Sequence, residues 1–172
     1  IGQAAPAADS ADLASARARA TEVAGVEVFY AGFAAAGIEY GARFRGVESV
    51  WRGSGEAVAR IRVPEGGADG RARSVASVAL LDAALQAMAA ALGPGAGRGE
   101  VLVPAGADRV VLRSSPGRTA WVHATAAGGV LVFDEEGRLA IEIAGFRLRP
   151  LPAGRARASA FLRAALAQRV GH

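Results

Sequence analysis

From Ser77 to Leu92 the chain is apolar almost without interruption, and after the opening serine only Asp82 and Gln86 break the run. Ala, Leu and Met dominate it, the strongest apolar helix formers, so the stretch predicts a helix of about four turns. A helix that is apolar on every side belongs in a core or a membrane. About sixteen residues stopped by Gly93-Pro94-Gly95 are short for a membrane span. The pattern therefore predicts a central core helix with Ser77 at its N-cap.

The rest of the chain changes period. Val26, Phe29, Tyr30 and Phe33 recur at helical spacing before Gly37, a C-terminal stop, and simple packing accounts for Phe29 and Phe33. Ile38–Gly46, with glycines at 41 and 46, reads as a loop. Val47–Trp51 and Ala57–Val63 read as strands around the Gly53-Ser54-Gly55 turn, the second alternating Val58, Ile61 and Val63 with Arg60 and Arg62. Pro64–Arg73 and Gly93–Gly99 are Gly-rich connections on either side of the central helix. Extended stretches follow at Val101–Pro104, Asp108–Arg113, Thr119–Ala126, Val130–Phe133 and Leu139–Leu148. Gly128-Gly129 and Asp134-Glu135-Glu136-Gly137 supply turns, and Pro150 and Pro152 end the last strand.

Roughly five to seven strands joined by hairpins leave one sheet face to cover, and a single long helix covers it if the sheet curls around it. This predicts an α+β hotdog fold: a curled antiparallel sheet around one central apolar helix. Residues 21–152 make up that domain. Residues 1–20 read as an Ala-rich linker in which a short helix can start around Asp9–Asp12, and residues 153–172 as a basic C-terminal linker with an exposed helix over Ala158–Val170.

Composition narrows the function classes. All twenty basic residues are Arg, with no Lys and no Asn, which reads as coding bias. The net charge of +4 sits in residues 153–172, whose Arg155, Arg157, Arg163 and Arg169 face no acid; the remaining body is formally neutral. A nucleic-acid groove needs a concentrated basic face with aromatics, and none appears. No run reaches spanning length, so no membrane partner is expected. The absence of Cys excludes disulfides and thiolate chemistry and points to a cytoplasmic setting. A chain that begins at Ile1 rather than Met reads as cut from something longer.

Chemistry concentrates at Asp82 and Gln86. Four residues apart, they share one helix face and can touch. A carboxyl group buried there must find a partner or stay protonated. Asp82 also lies near the helix start, where a carboxylate can simply cap or form a structural pair. Both readings stand on pattern alone.

Three stretches, in this order and spacing, resemble the dehydratase domains of modular polyketide synthases. Tyr40-Gly41-x-x-Phe44-x-Gly46, after the Phe29-Tyr30 helix, resembles the family's YGxxFxG segment. Leu80-Leu81-Asp82-Ala83-Ala84-Leu85-Gln86 resembles its second catalytic motif, an Asp with Gln or His four residues on. Phe133-Asp134-Glu135-Glu136-Gly137-Arg138 with Ile143–Pro150 resembles its closing hairpin, and Trp121-Val122-His123-Ala124 one of its strands.

The resemblance implies the C-terminal half of a double hotdog. Its activity would be loss of water from a β-hydroxyacyl thioester held on the phosphopantetheine arm of an acyl carrier protein, with no other cofactor and no metal. Asp82 and Gln86 would be catalytic, and Tyr40, Gly41 and Phe44 would bind substrate. The family's HxxxGxxxxP motif is absent, since Ala127 stands at the glycine position after His123. The partner is therefore an N-terminal half bearing that histidine, and the chain alone is expected to be inactive. His123 itself reads as a strand residue with a structural hydrogen bond.

The sequence departs from the family at Ser77 and Val78, where His-Pro is common, at Ala42 for Pro and at Arg45 for Gln. Two other functions fit the same pattern: a non-catalytic interaction half-domain, and an isomerase or cyclase that keeps the pocket. An unpaired hotdog edge would seek the other half or a second copy of the chain, unless Arg60 and Arg62, or Arg147 and Arg149, protect it.

Overall fold

The computed structural model describes residues 10–22, 25–63, 78–93 and 101–151. The Ser77 cap, the 64–73 loop, most of the 93–99 connection, the basic tail 153–172 and its terminal His172 lie outside the described residues. Among the described residues, helices run over Ser10–Arg19 (α1), Val26–Ala35 (α2) and Val78–Leu92 (α3), and Ala42–Phe44 forms a 3-10 turn. The strands are Thr21–Glu22 (β1), Val47–Arg52 (β2), Glu56–Arg62 (β3), Val101–Gly106 (β4), Arg109–Leu112 (β5), Thr119–Thr125 (β6), Gly129–Phe133 (β7), Leu139–Ala144 (β8) and Arg147–Leu151 (β9).

Seven strands form one antiparallel sheet in the order β1-β2-β3-β6-β7-β8-β5, and β4 pairs with β9 in a separate ribbon. The inner face of this sheet packs on α3, whose Leu80, Ala83, Ala84, Ala87, Met88 and Ala91 are buried against Ile61, Val122, Val132 and Ile141. The small Ala side chains let helix and sheet approach closely, which is why an Ala-rich helix can fill a curled sheet. This is the hotdog architecture, and the helix at its centre is the one the apolar run predicts.

The outer face has its own cover. Ala16 of α1 is buried with Trp51 and Val58, flanked by Leu13, Ala20 and Trp121. Ser10–Arg19, within the stretch read as a linker, is thus a helix packed on the sheet. Its presence explains why β3 is buried on both sides. Strand side chains alternate faces, so Val58 shares the outer face with Arg60 and Arg62, while Ala57, Ala59, Ile61 and Val63 join the inner core. The sequence pattern put Val58 on the side of Ile61, because nothing local marks a second apolar surface.

Two further corrections concern strand ends. The stretch read as continuous over Leu139–Leu148 breaks at Gly145, which adopts φ +64, so that β8 stays in the main sheet and β9 leaves for the ribbon. Pro150 lies inside β9, opposite Leu102, rather than ending the strand; a two-stranded ribbon has open edges that tolerate a missing N–H. Arg60 and Arg62 do not guard an edge, because β3 is interior, between β2 and β6; both pair with Glu48 on the outer face. β5 lies at one end of the sheet; Arg109 of β5 and Arg113 just after it both bond to Glu142 of β8.

Candidate functional site

Three elements converge on the first half of α3. α2 carries Phe29, Tyr30 and Phe33 on one face, as their helical spacing dictates, and their rings meet edge to face: Phe29 and Phe33 are 5.1 Å apart and Phe33 and Tyr40 5.0 Å. The 3-10 turn then brings the backbone of Phe44 against α3. Gly46 makes that approach feasible, since a Cβ there would stand 2.7 Å from the Arg62 carbonyl oxygen and 2.9 Å from the Ala83 Cβ. Any side chain at position 46 would push the segment off the helix at the residue next to Asp82.

Asp82 and Gln86 are both buried, 8% and 3% exposed, one turn apart on α3. Gln86 Nε2 donates to Asp82 Oδ2 at 2.8 Å and to the Phe44 carbonyl at 2.8 Å. The Tyr30 hydroxyl donates to Gln86 Oε1 at 2.9 Å and accepts from the Val47 N–H at 3.0 Å. Burial raises the Asp82 carboxyl to about 6, and the hydrogen bond from Gln86 opposes this only in part. Gln86 carries no charge, and among the described residues no cation pulls the carboxyl back into the ordinary range. Asp82 does not cap α3: it is past the first turn, and its partner is a side chain.

The other expected site residues fall in different places. Tyr40 is half-buried, 5.9 Å from the Tyr30 ring, and its phenol pKa is raised by burial first and by the Asp82 charge second. It is thus within electrostatic reach of Asp82. Phe44 joins the network through its backbone carbonyl rather than its ring. Gly41 is exposed, and a Cβ there meets nothing within 4 Å; its carbonyl accepts from the Phe44 N–H at 2.9 Å.

His123 is on the far side of the sheet. Ala120, Val122 and Ala124 of β6 face α3, so Trp121, His123 and Thr125 face outward. There His123 Nε2 lies 2.8 Å from Glu56 Oε2, and Arg19 of α1 makes a two-pronged bond to the same carboxylate at 2.8 and 2.9 Å. The arginine hydrogen bond is the main reason the Glu56 carboxyl drops to about 2.

Tyr30 and Gly46 carry weight that the sequence reading did not assign. Tyr30 shares the helical stripe of Phe29 and Phe33, and nothing local separates a phenol that packs from one that bonds to a residue 56 positions away. Gly46 had a visible signal in the YGxxFxG spacing. Arg45, standing where the resembling family has Gln, lies 4.6 Å over the Tyr30 ring and pairs with Glu27 at 2.6 Å. Farther along α3, Met88 and Leu92 line an apolar groove of about 250 Å³ with Leu102, Ala126, Phe146 and Leu148. Among the described residues no cluster of side chains fits a metal ion, and no helix is long and apolar enough to cross a membrane.

Comparisons with known proteins bear on the family and the fold. A family model described as the polyketide synthase dehydratase N-terminal domain matches residues 8–158. The spectinabilin polyketide synthase system protein NorA' of Streptomyces orinoci is 34% identical over 139 residues, which cover 76% of this chain and 4% of that protein. A crystal structure of an inactive CurK dehydratase mutant, with phenylalanine in place of a histidine, matches with a TM-score of 0.77 and 26% identity. It covers 89% of this chain and 55% of its own length is covered. An inactive mutant of the same dehydratase, with asparagine in place of an aspartate, matches with a TM-score of 0.77 and 26% identity over 88% of this chain and 56% of that one. The chain thus spans about half of each dehydratase structure and a small part of the synthase. With a family model covering most of its length and a hotdog fold shared with solved dehydratases, the chain belongs to the polyketide synthase dehydratase family.

Proposed function

We propose that this chain is the second hotdog half of a polyketide synthase dehydratase and that Asp82 is the acid of the reaction. The observation that carries the reading is the buried Asp82 carboxyl, raised to about 6 and bonded only to a neutral amide among the described residues. A carboxyl in that state keeps a usable share of its proton near neutral pH, as a general acid must. The family model is described as the N-terminal domain, so the placement as the second half rests on residues: the chain has the Asp82–Gln86 pair and lacks the HxxxGxxxxP motif.

The substrate would be a β-hydroxyacyl thioester on an acyl carrier protein. A histidine from the other half takes the α-proton while Asp82 gives its proton to the β-hydroxyl. The C–O bond breaks, water leaves, and an α,β-double bond forms. The proton on the imidazole then returns through solvent to the Asp82 carboxylate. That a histidine mutant and an aspartate mutant of the CurK dehydratase are each named as inactive supports a two-residue division of labour in that protein.

The test compares the isolated chain with the complete dehydratase that contains it, each given a carrier-bound β-hydroxyacyl thioester and followed by mass spectrometry for loss of water. Turnover by the complete protein and none by the isolated chain is expected. Turnover by the isolated chain would overturn the half-domain reading. Full activity in the complete protein with Asp82→Asn would overturn the role of Asp82 and favour an interaction half-domain. An isomerised or cyclised product would reassign the reaction.

A further inference from the structure

The hydrogen bonds around Gln86 are pinned at both ends by main-chain groups that have no choice of role. The Val47 N–H can only donate, so it occupies a lone pair of the Tyr30 hydroxyl and turns the phenol proton toward Gln86 Oε1. The Phe44 carbonyl can only accept, so it holds the Gln86 amide nitrogen on its own side. Together they fix which way the amide faces, an orientation the side chain could otherwise reverse. Gln86 Nε2 then has its second proton for Asp82 Oδ2.

The consequence falls on Asp82. Oδ2 receives a donated proton and is therefore an acceptor. A proton carried by this carboxyl belongs on Oδ1. Among the described residues no fully buried side-chain polar atom lacks a partner, and Oδ2 is the oxygen that Gln86 engages. Among the described residues Oδ1 has no side-chain partner, and it is not fully buried.

Resting on the reading of Asp82 as the acid, we propose that Tyr30 is a positioning residue that acts through Gln86 to reserve the Asp82 proton for Oδ1, the oxygen free to meet substrate. Tyr30 suits this role because it stays a donor: burial pushes its phenol up to about 12, so it holds its proton throughout the working range. The Arg45 guanidinium over its ring lowers that value somewhat and so strengthens the phenol as a donor. Among the described residues, the charged and titratable groups that face the site are Tyr30 and Glu27 of α2, with Tyr40 and Arg45 of the following segment.

The experiment uses the complete dehydratase and records pH–rate profiles for the parent, Tyr30→Phe, Gln86→Ala and the double variant, with Asp82→Asn as reference. Because the acid must be protonated, Asp82 governs the alkaline limb. Losing the phenol loosens the amide, weakens its support of the carboxylate and moves that limb to higher pH. We expect kcat to fall about tenfold in Tyr30→Phe with little change in KM, the size of one misplaced hydrogen bond. The double variant should be no slower than Gln86→Ala, since Tyr30 acts through that residue.

Tyr30→Phe with an unmoved alkaline limb, or losses that simply multiply in the double variant, would overturn the proposal and leave Tyr30 a packing residue. If Tyr30→Phe does not fold, 3-fluorotyrosine at position 30, a stronger donor of nearly the same shape, should move the limb to lower pH. A folded protein with an unmoved limb overturns the proposal equally. Failure of the underlying reading looks different: Asp82→Asn would then remain active.

Discussion

Asp82 and Glu56 are carboxylates on opposite faces of the same sheet, and their surroundings drive them apart. On the inner face, Asp82 sits in an apolar core with a neutral amide as its partner, and burial lifts it to about 6. On the outer face, Glu56 holds Arg19 and His123, and its carboxyl falls to about 2. A cation next to Asp82 would pull its carboxyl back toward the ordinary range, whereas the cation next to Glu56 fastens α1 to the sheet. The difference shows that the two faces of one sheet can hold a raised carboxyl and an ion-paired one apart. His123 and Val122 are adjacent in sequence, yet only Val122 faces the helix that carries Asp82.

The sharpest way to break this comparison is to remove each side in the complete dehydratase. Asp82→Asn should lower dehydration by about 10²- to 10⁴-fold, the usual contribution of a general acid, while His123→Ala should leave turnover unchanged. Equal losses from the two variants in a product assay would mean that the sheet does not separate the two roles.

Stability against pH gives the next largest effect. The folded protein binds a proton at Asp82 more tightly than the unfolded chain does, since the value rises from 3.8 to about 6. Stability therefore falls as pH rises from about 4 through about 6 and stays lower above that. The cost at neutral pH is on the order of 2–3 kcal/mol. Asp82→Asn should raise the melting temperature of the chain at pH 7.5 and have little effect at pH 4, values chosen to lie about 1.5 above and roughly level with the two ends of that window.

Gly46→Ala tests the close approach that builds the inner site. Its Cβ would meet the Arg62 carbonyl oxygen at 2.7 Å and the Ala83 Cβ at 2.9 Å, so a loss of about 1–3 kcal/mol in denaturant unfolding is expected. Gly41→Ala, which meets open space, should change much less. The smallest effect belongs to the outer side. Glu56→Gln should lower stability only slightly, because the Arg19 side chain is 56% exposed and the pair is screened by salt. That contribution is complete above the ordinary Glu value of 4.5 and disappears as pH falls toward about 2. A loss that persists unchanged in high salt would contradict this account.

The sequence by itself determined the central helix, the turns at Gly53–Gly55 and Asp134–Gly137, and the pairing of Asp82 with Gln86. These depend on neighbours within a few residues: an apolar run, glycine and aspartate turn chemistry, and the four-residue repeat of a helix. Only the tertiary structure decided that Val58 faces outward, that β9 leaves the main sheet, that Arg60 and Arg62 lie inside the sheet rather than at its edge, and that Tyr30 bonds to Gln86. Each of these depends on a partner distant in the chain: α1 on Val58, β4 on β9, β6 on β3, and α3 on Tyr30. An apolar or aromatic side chain at a given spacing announces that it will be buried. It does not announce against what, because that choice is made when the sheet curls and the whole set of faces is covered at once.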